Sequence, residues 1–276
     1  VSLMDDTELV FASISTYVWA IRTWHQLQHQ ADPVMGVMGW TSFITGIAVY
    51  TAVAAEPRKE VPFDVIVAIL GVLEQEFQDA EAEGDNVAAL RVAQFAFLLL
   101  ILLFTFSRAE CPCPQTFEGP RSFDASKHWQ WKDFVADVLS SHWIINVQFK
   151  GIKQDPRCER PTARGGDWAV VGDVPGTEFS VMLWYKRVCK HGGERDPEGP
   201  AFLARDGRRP LTYSTALSDF RRYLRKVSAD ESLGLHGLRV AGYNLSLHSN
   251  GQNLTVAQGG WLSEAHDRYE RFGALE

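Results

Sequence analysis

His236 and Arg239, near the end of the chain, are spaced so that both side chains could bind one anion. They lie three positions apart in a segment that reads as a helix, and residues at that spacing share one helix face. Trp261 follows 22 residues after Arg239, and Tyr269 comes eight residues after Trp261. Guanidinium, imidazole and indole N–H groups donate hydrogen bonds to phosphate oxygens, whereas a phenol can act as an oxygen nucleophile. Their order and spacing therefore indicate attack on a phosphodiester by a tyrosine.

The chemistry gives these residues different roles. A phosphodiester gains negative charge as it becomes five-coordinate, and fixed donors aimed at its oxygens stabilise that state. Arg239 suits this task because its guanidinium stays charged and binds two oxygens at once. His236 could donate a hydrogen bond to the phosphate or accept the proton of the phenol, whose free pKa is about 10. Each residue also has a structural interpretation, as a surface charge, a buried histidine or a core tryptophan.

Charge is unevenly distributed along the 276 residues, whose net charge is −7. Residues 1–90 carry 13 acidic and 3 basic side chains, whereas residues 146–226 carry 16 basic and 10 acidic ones. A basic middle section is compatible with contacts to a phosphate backbone, and equally with a solvated surface. The same two interpretations apply to its basic clusters, which are Arg221, Arg222, Arg225 and Lys226, and Arg205, Arg208 and Arg209.

The four cysteines are too few for a disulfide framework. Cys111 and Cys113 stand in a Cys-Pro-Cys-Pro run, and the other two cysteines are isolated. We expect reduced thiols in an intracellular protein that has no signal peptide and binds no metal. A zinc site formed by Cys111, Cys113 and His128 is the alternative.

Apolar periodicity predicts the elements that would position the candidate residues. Residues 8–31 and 40–54 read as helices, and a Pro-containing linker follows at residues 56–60. An acidic loop is expected around residues 79–85. The other predicted helices are 63–77, 87–106, 179–191, 212–228, 236–250 and 263–272, and the predicted strands are 143–149 and 168–171.

The most apolar run, Val92–Phe106, is shorter than the roughly 20 residues that a membrane span needs. It predicts a helix that is buried on all sides in the core of the protein. Arg108 follows directly after it and needs a partner, because burying an unpaired charge is costly. That partner could be an acid such as Glu110, or it could be a phosphate.

The whole pattern resembles the tyrosine recombinases, the integrase family of DNA strand-exchange enzymes. Members present Arg, Lys, His-x-x-Arg, His or Trp, and a late Tyr, in this order. The segment Gly259–Tyr269 resembles recombinases carried by eukaryotic mobile elements, and the likeness is strongest over residues 232–272. The matching positions are Arg108, a lysine after the strand at 143–149, His236, Arg239, Trp261 and Tyr269.

The resemblance implies a mainly α (α+β) fold, in which helices surround a small antiparallel sheet. Residues 1–57 would be a shortened helical core-binding domain that clamps DNA, and residues 58–276 the catalytic domain. The implied activity is site-specific cleavage and rejoining of double-stranded DNA through a 3′-phosphotyrosyl intermediate, without metal or ATP. The implied partners are DNA and further copies of the chain, assembled as a tetramer, and no membrane. In a eukaryote such a protein would act in the nucleus.

Family members carry the catalytic lysine on a β-hairpin, where it protonates the leaving 5′ oxygen. Lys150 and Lys153 both follow the predicted strand, and Lys153-Gln154-Asp155 resembles the family's Lys-Thr-Asp more closely. Lys153 is therefore favoured as the acid, and Lys150 as a DNA contact.

The chain departs from the family pattern after Arg108. The family usually has an acid three residues after this arginine, whereas Glu110 comes two residues after it. The departure keeps open a catalytically inactive, domesticated DNA-binding protein of the same fold. A topoisomerase-like nicking and closing enzyme is a further alternative.

Overall fold

A computed structural model describes residues 11–50, 59–150 and 168–259, and the chain divides into two compact units, Val1–Pro57 and Arg58–Glu276. The first unit contains helices α1 (Phe11–Leu27) and α2 (Trp40–Tyr50), as predicted. Helix α1 ends four residues before the predicted end at residue 31, because the backbone turns left-handed at His29 (φ 53°). The predicted DNA-clamp role of this unit stays a prediction.

The second unit begins with helices α3 (Phe63–Glu83) and α4 (Asn86–Thr105). The predicted acidic loop at 79–85 is wrong, because α3 continues to Glu83. Lys190 pairs with Glu81 on this stretch and reduces the repulsion among its acids. The helix then ends at Gly84, in the left-handed region (φ 71°), and the side chain of Asp85 caps α4.

Helix α4 forms the centre of the core, as its apolar sequence predicted. Of the described helices, α4 is long and apolar enough to cross a membrane. However, 72% of its most apolar stretch is buried within the protein. The two polar side chains inside the apolar run, Gln94 and Thr105, are buried as well. The Oε1 atom of Gln94 accepts a hydrogen bond from the backbone N–H of Leu203 (3.0 Å). Helix α4 is therefore a rigid base for the loop that follows it.

A three-stranded antiparallel sheet has the order β1 (Phe134–Leu139), β2 (His142–Gln148) and β3 (Trp168–Gly172). Strands β2 and β3 confirm the two predicted strands to within one residue. Strand β1 was not predicted. Val147 pairs with Phe134 on one side and Ala169 on the other, and all three side chains are buried. This face of the sheet packs into the core around α4.

The remaining described helices are α5 (Val181–Gly192), α6 (Tyr213–Lys226), α7 (His236–Asn250) and α8 (Gln252–Gly259). Helix α7 has the predicted bounds and ends at Gly251, where φ is 77°. Helix α8 was not predicted. A mainly helical architecture with one small antiparallel sheet confirms the expected fold class.

Candidate functional site

His236 is the first residue of α7, and Arg239 lies in its first turn; both side chains are half-buried. Gly237 lies between them in the sequence, at a point where the backbone of α7 comes close to the backbone of residues 59–61. A Cβ atom added to Gly237 would lie 2.7 Å from the carbonyl oxygen of Lys59 and 2.8 Å from Cγ2 of Val61. The N–H of Val61 also donates to the carbonyl oxygen of Gly237 (3.3 Å). The segment before α3 therefore fixes the start of α7.

Helix α7 packs against the C-terminal end of α4 at Gly242. A Cβ atom added to Gly242 would lie 2.9 Å from the carbonyl carbon of Leu103 and 2.9 Å from Cδ1 of Phe106, with the carbonyl oxygen of Leu103 nearer still. Arg239 precedes Gly242 by three positions, so it occupies the same face of α7. That face meets the end of α4, and the loop after α4 contains Arg108.

The loop after α4 is held by backbone hydrogen bonds. Phe106 ends the helix in the left-handed region (φ 50°). The carbonyl oxygen of half-buried Arg108 accepts from the N–H of Cys111 (2.9 Å), and that of Ala109 accepts from the N–H of Cys113 (3.0 Å). The carbonyl oxygen of Cys111 in turn accepts from the N–H of Trp129 (2.9 Å). Arg108 therefore lies in an ordered turn.

The thiol of Cys111 lies close to both arginines. Burial raises its pKa, and the charge of Arg239 is the largest influence in the opposite direction. A backbone hydrogen bond and the charge of Arg108 also lower the pKa of Cys111, whereas Glu110 raises it. Since charge effects weaken with distance, these three charged groups lie in the same part of the protein as this sulfur. The charges of Arg239, Arg108 and the exposed Glu110 thus all act on one thiol, and the catalytic roles of the two arginines stay predictions.

Three of the predicted catalytic residues, Lys153, Trp261 and Tyr269, lie outside the described residues, and their roles stay predictions. Lys153 belongs to the connection between β2 and β3. The end of α8 lies close to the end of α4, because Nε2 of Gln258 donates to the carbonyl oxygen of Phe104 (3.1 Å). Gln258 also lines a groove of about 540 Å³ between α4, β3, α7 and α8.

Lys150, which follows β2, forms contacts with other side chains of the same protein. Its Nζ atom forms an ion pair with Oδ1 of Asp133 (2.9 Å) and donates to Oε1 of Gln130 (3.1 Å). The side chain of Asp133 is fully buried, and that of Lys150 is 16% exposed. A buried carboxylate needs a cation beside it, so Lys150 has a structural task at the base of the β2–β3 connection. Sequence reasoning missed Asp133, because the acid is the last residue of a short 3₁₀ turn that the pattern did not predict.

The predicted DNA-binding cluster on α6 is also partly engaged within the protein. Arg222 donates to the phenolic oxygen of Tyr223 (2.9 Å), and Arg225 pairs with Glu231 (3.0 Å). Arg221 is exposed on the same helix. DNA contact by these arginines stays a prediction, and Arg221 is the member that could reach a phosphate without giving up one of these contacts.

The alternative zinc site has no support in the described part of the chain. No group of three metal-binding side chains is found there. The Nδ1 atom of His128 accepts a hydrogen bond from the N–H of Asp124 (2.9 Å). Burial lowers the pKa of His128 and raises the pKa of Cys113, so these groups are neutral near pH 7.

Solved structures share this fold. The Tn1549 transposon integrase in complex with circular intermediate DNA matches 98% of this chain and 78% of its own, with a TM-score of 0.51 and 13% identity. The XerH site-specific recombinase bound to its difH substrate matches 96% of this chain and 68% of its own, with a TM-score of 0.51 and 13% identity. The Tn1549 integrase in complex with transposon right end DNA matches 95% and 76%, with a TM-score of 0.50 and 12% identity.

No protein-family model and no curated protein sequence matches the chain. At such low identity the structural similarity shows the fold alone. The chain therefore has a tyrosine-recombinase-like fold, as expected from its sequence, and the likeness to eukaryotic mobile-element recombinases stays a prediction.

Proposed function

We propose that this chain cleaves and rejoins double-stranded DNA through a 3′-phosphotyrosyl intermediate, as a recombinase of a mobile element. The observation that carries the proposal is the position of Arg108 and Arg239. They are distant in the sequence, yet the charges of both act on the thiol of Cys111. Two guanidinium groups at one place form a site for an anion with several oxygens, such as a phosphodiester.

In the proposed reaction the phenolic oxygen of Tyr269 attacks a backbone phosphorus, and the bond from phosphorus to the 5′ oxygen breaks. His236 accepts the proton of the phenol, and Lys153 delivers a proton to the leaving oxygen. Arg108 and Arg239 bind the non-bridging oxygens, where negative charge develops. A phosphotyrosyl ester replaces the phosphodiester, so its bond energy is kept for rejoining and no ATP is needed.

Two further parts belong to the same proposal. Trp261 donates its indole N–H to the phosphate; it cannot move a proton, because an indole nitrogen is a donor only. Exchange between two duplexes needs a cleavage on every participating strand, so we propose that four copies assemble on the DNA.

The test is capture of covalent adducts from a radiolabelled library of random-sequence duplexes, in a buffer containing a chelator. A random library removes the need to know the target site. We expect wild-type protein to form an adduct that survives denaturing electrophoresis. Tyr269→Phe should bind the library equally well and form no adduct, whereas the matched control Tyr213→Phe should form it normally. Loss of either arginine should lower the rate of adduct formation by about 100-fold or more.

The outcomes separate the candidate functions. Salt-dependent DNA binding by wild-type protein without any adduct would leave the inactive DNA-binding protein as the better description. An adduct that persists in Tyr269→Phe would show that another residue is the nucleophile. Absence of DNA binding at low salt would refute both functions.

A further inference from the structure

A buried ion pair joins the chain just before β1 to the chain just after β2, at the end of the sheet where the β2–β3 connection begins. Asp133 is the last residue before β1, and Lys150 is the second residue after β2. Phe134 opposite Val147 is the last pair of the β1–β2 ladder at this end, so both charged residues lie just beyond it. Nζ of Lys150 lies 2.9 Å from Oδ1 of Asp133, whose side chain is fully buried. The ion pair therefore closes this end of the ladder.

The acid and the base of this pair are both fixed by further hydrogen bonds. Oδ2 of Asp133 accepts from the backbone N–H of Gln130 (2.7 Å), and Oε1 of Gln130 accepts from Nζ of Lys150 (3.1 Å). Nε2 of Gln130 donates to the carbonyl oxygen of Glu198 (2.6 Å), which belongs to the loop between α5 and α6. The largely buried ammonium group of Lys150 thus has two partners on a turn that is itself bound to another loop.

Stability alone does not explain a buried ion pair. Apolar side chains of similar size are often at least as stable, because the free energy of removing two charges from water offsets their attraction. An ion pair differs from an apolar contact in that it fixes one geometry, since the ammonium group must meet the carboxylate oxygens at hydrogen-bonding distance. The pair of Asp133 and Lys150 is therefore suited to determine where the backbone leaves the sheet.

We propose that Asp133 and Lys150 are positioning residues: their ion pair fixes the start of the β2–β3 connection and thereby holds Lys153 where it protonates the leaving 5′ oxygen. Lys153 follows Lys150 by three residues, and three residues span at most about 11 Å even when fully extended. A proton donor must come within hydrogen-bonding distance of the atom that receives the proton, so a small displacement of this start point slows cleavage. The inference rests on the proposed function, because it explains how the acid of that reaction is held.

The experiment uses the full chain and two libraries of random-sequence duplexes, which carry at one fixed linkage either the ordinary 5′ oxygen or a 5′ sulfur. Attack by the tyrosine at the sulfur linkage forms the same phosphotyrosyl bond and breaks the bond from phosphorus to sulfur. The sulfur leaves as a thiolate without being protonated, because the pKa of a thiol is about 8.5, far below that of an alcohol. The sulfur library therefore reports every step except delivery of the proton to the leaving group.

The decisive variant combines Asp133→Asn with Lys150→Met, which removes the ion pair without leaving an unpaired buried charge. We expect it to be as stable as wild type in urea and, at saturating protein, to form the adduct about tenfold or more slowly with the ordinary library. It should react with the sulfur library at the wild-type rate. Lys153→Ala should show the same pattern with a larger loss on the ordinary library, of about 100-fold or more.

Two further variants complete the comparison. Asp133→Asn alone keeps nearly the same side-chain shape and gives the same test if the double variant is unstable. Lys132→Met is the matched control, because it removes an exposed lysine from the same turn, where it pairs with Glu198. It should leave the rates with both libraries within about twofold of wild type, since an exposed ion pair contributes little to structure.

A wild-type rate of the double variant on the ordinary library would overturn the inference and leave the proposed function intact. A loss that is equally large on the sulfur library would also overturn it, because the pair would then support the site in general and not the delivery of the proton. Normal cleavage by Lys153→Ala, with a loss in Lys150→Met that sulfur rescues, would make Lys150 itself the acid and refute its positioning role. Absence of an adduct from wild-type protein with both libraries would refute the proposed function, and this inference with it.

Discussion

Gly242→Ala is expected to separate α7 from α4 and thereby to move Arg239 away from Arg108. The added Cβ atom would lie 2.9 Å from the carbonyl carbon of Leu103 and 2.9 Å from Cδ1 of Phe106. Carbon atoms in contact normally lie about 3.5–4.0 Å apart. The two helices must therefore open by roughly 0.6–1.1 Å at this point, and the carbonyl oxygen of Leu103, which is nearer still, requires at least as much.

The magnitude follows from the packing. Forcing extra atoms into a close-packed core costs about 1–3 kcal/mol, and we expect the upper end because the obstacle is backbone. Alanine is the better helix former by up to about 1 kcal/mol, which offsets part of that cost. We therefore expect Gly242→Ala to lower the free energy of unfolding by about 2 kcal/mol. A shift of about 1 Å at a catalytic group can lower the rate about 100-fold, so adduct formation should fall strongly.

Urea unfolding and adduct capture, both on the full chain, measure the two effects. Gly71→Ala is the matched control, because Gly71 lies within α3, is exposed, and has nothing within 4 Å of an added Cβ atom. It should raise the free energy of unfolding by about 0.5–1 kcal/mol and leave cleavage unchanged. A Gly242→Ala protein that is as stable as Gly71→Ala would refute the close packing. Normal cleavage by a destabilised Gly242→Ala would refute the link from this packing to the site.

Two further predictions concern the surroundings of the site. Arg239→Ala should shift the alkylation of Cys111 by a maleimide to higher pH, because the pKa of this thiol is already raised by burial and would lose its largest lowering influence; peptide mass spectrometry at several pH values, in a Cys189→Ser background, measures this. Lys150→Met should lower the free energy of unfolding by about 3 kcal/mol, because it leaves the buried carboxylate of Asp133 without its cation; urea unfolding measures this.

Each of these predictions has an outcome that contradicts it. An unchanged alkylation profile in Arg239→Ala would mean that Arg239 lies farther from Cys111 than the structure places it; Arg108 and Glu110, the other charges acting on this thiol, are unaltered in that variant. For Lys150, the double variant with Asp133→Asn should recover much of the lost stability, because the unpaired charge is removed. Normal stability of Lys150→Met together with loss of the adduct would identify Lys150 as the catalytic acid.

Much of the secondary structure was predictable because its signals are local. Helix α7 was predicted with its observed bounds, since apolar spacing, His236 at its start and Gly251 at its end all lie within the segment. The wrong predictions concern segments in which contacts with another element outweigh the local sequence signal. Helix α3 continues through an acidic stretch because Lys190 from another element compensates it. Strand β1 was missed although its partner β2 was predicted, because neighbours in a sheet decide pairing.

The sequence by itself determined which chemistry is available: a set of residue types, in an order that matches phosphodiester attack by a tyrosine, and a mainly helical fold to hold them. Only the tertiary structure decided which of these residues meet. Glycine at 242 lets α7, which contains Arg239, lie directly on the end of α4, and the loop after α4 contains Arg108. Nothing in the sequence distinguishes Lys150 from other lysines, but in the structure its ammonium group pairs with the buried carboxylate of Asp133. The charges that act on Cys111 come from the turn after α4, which contains Arg108 and Glu110, and from Arg239 on α7. Spacing along a chain constrains neighbours within one element, whereas contacts between elements depend on packing that no single segment encodes.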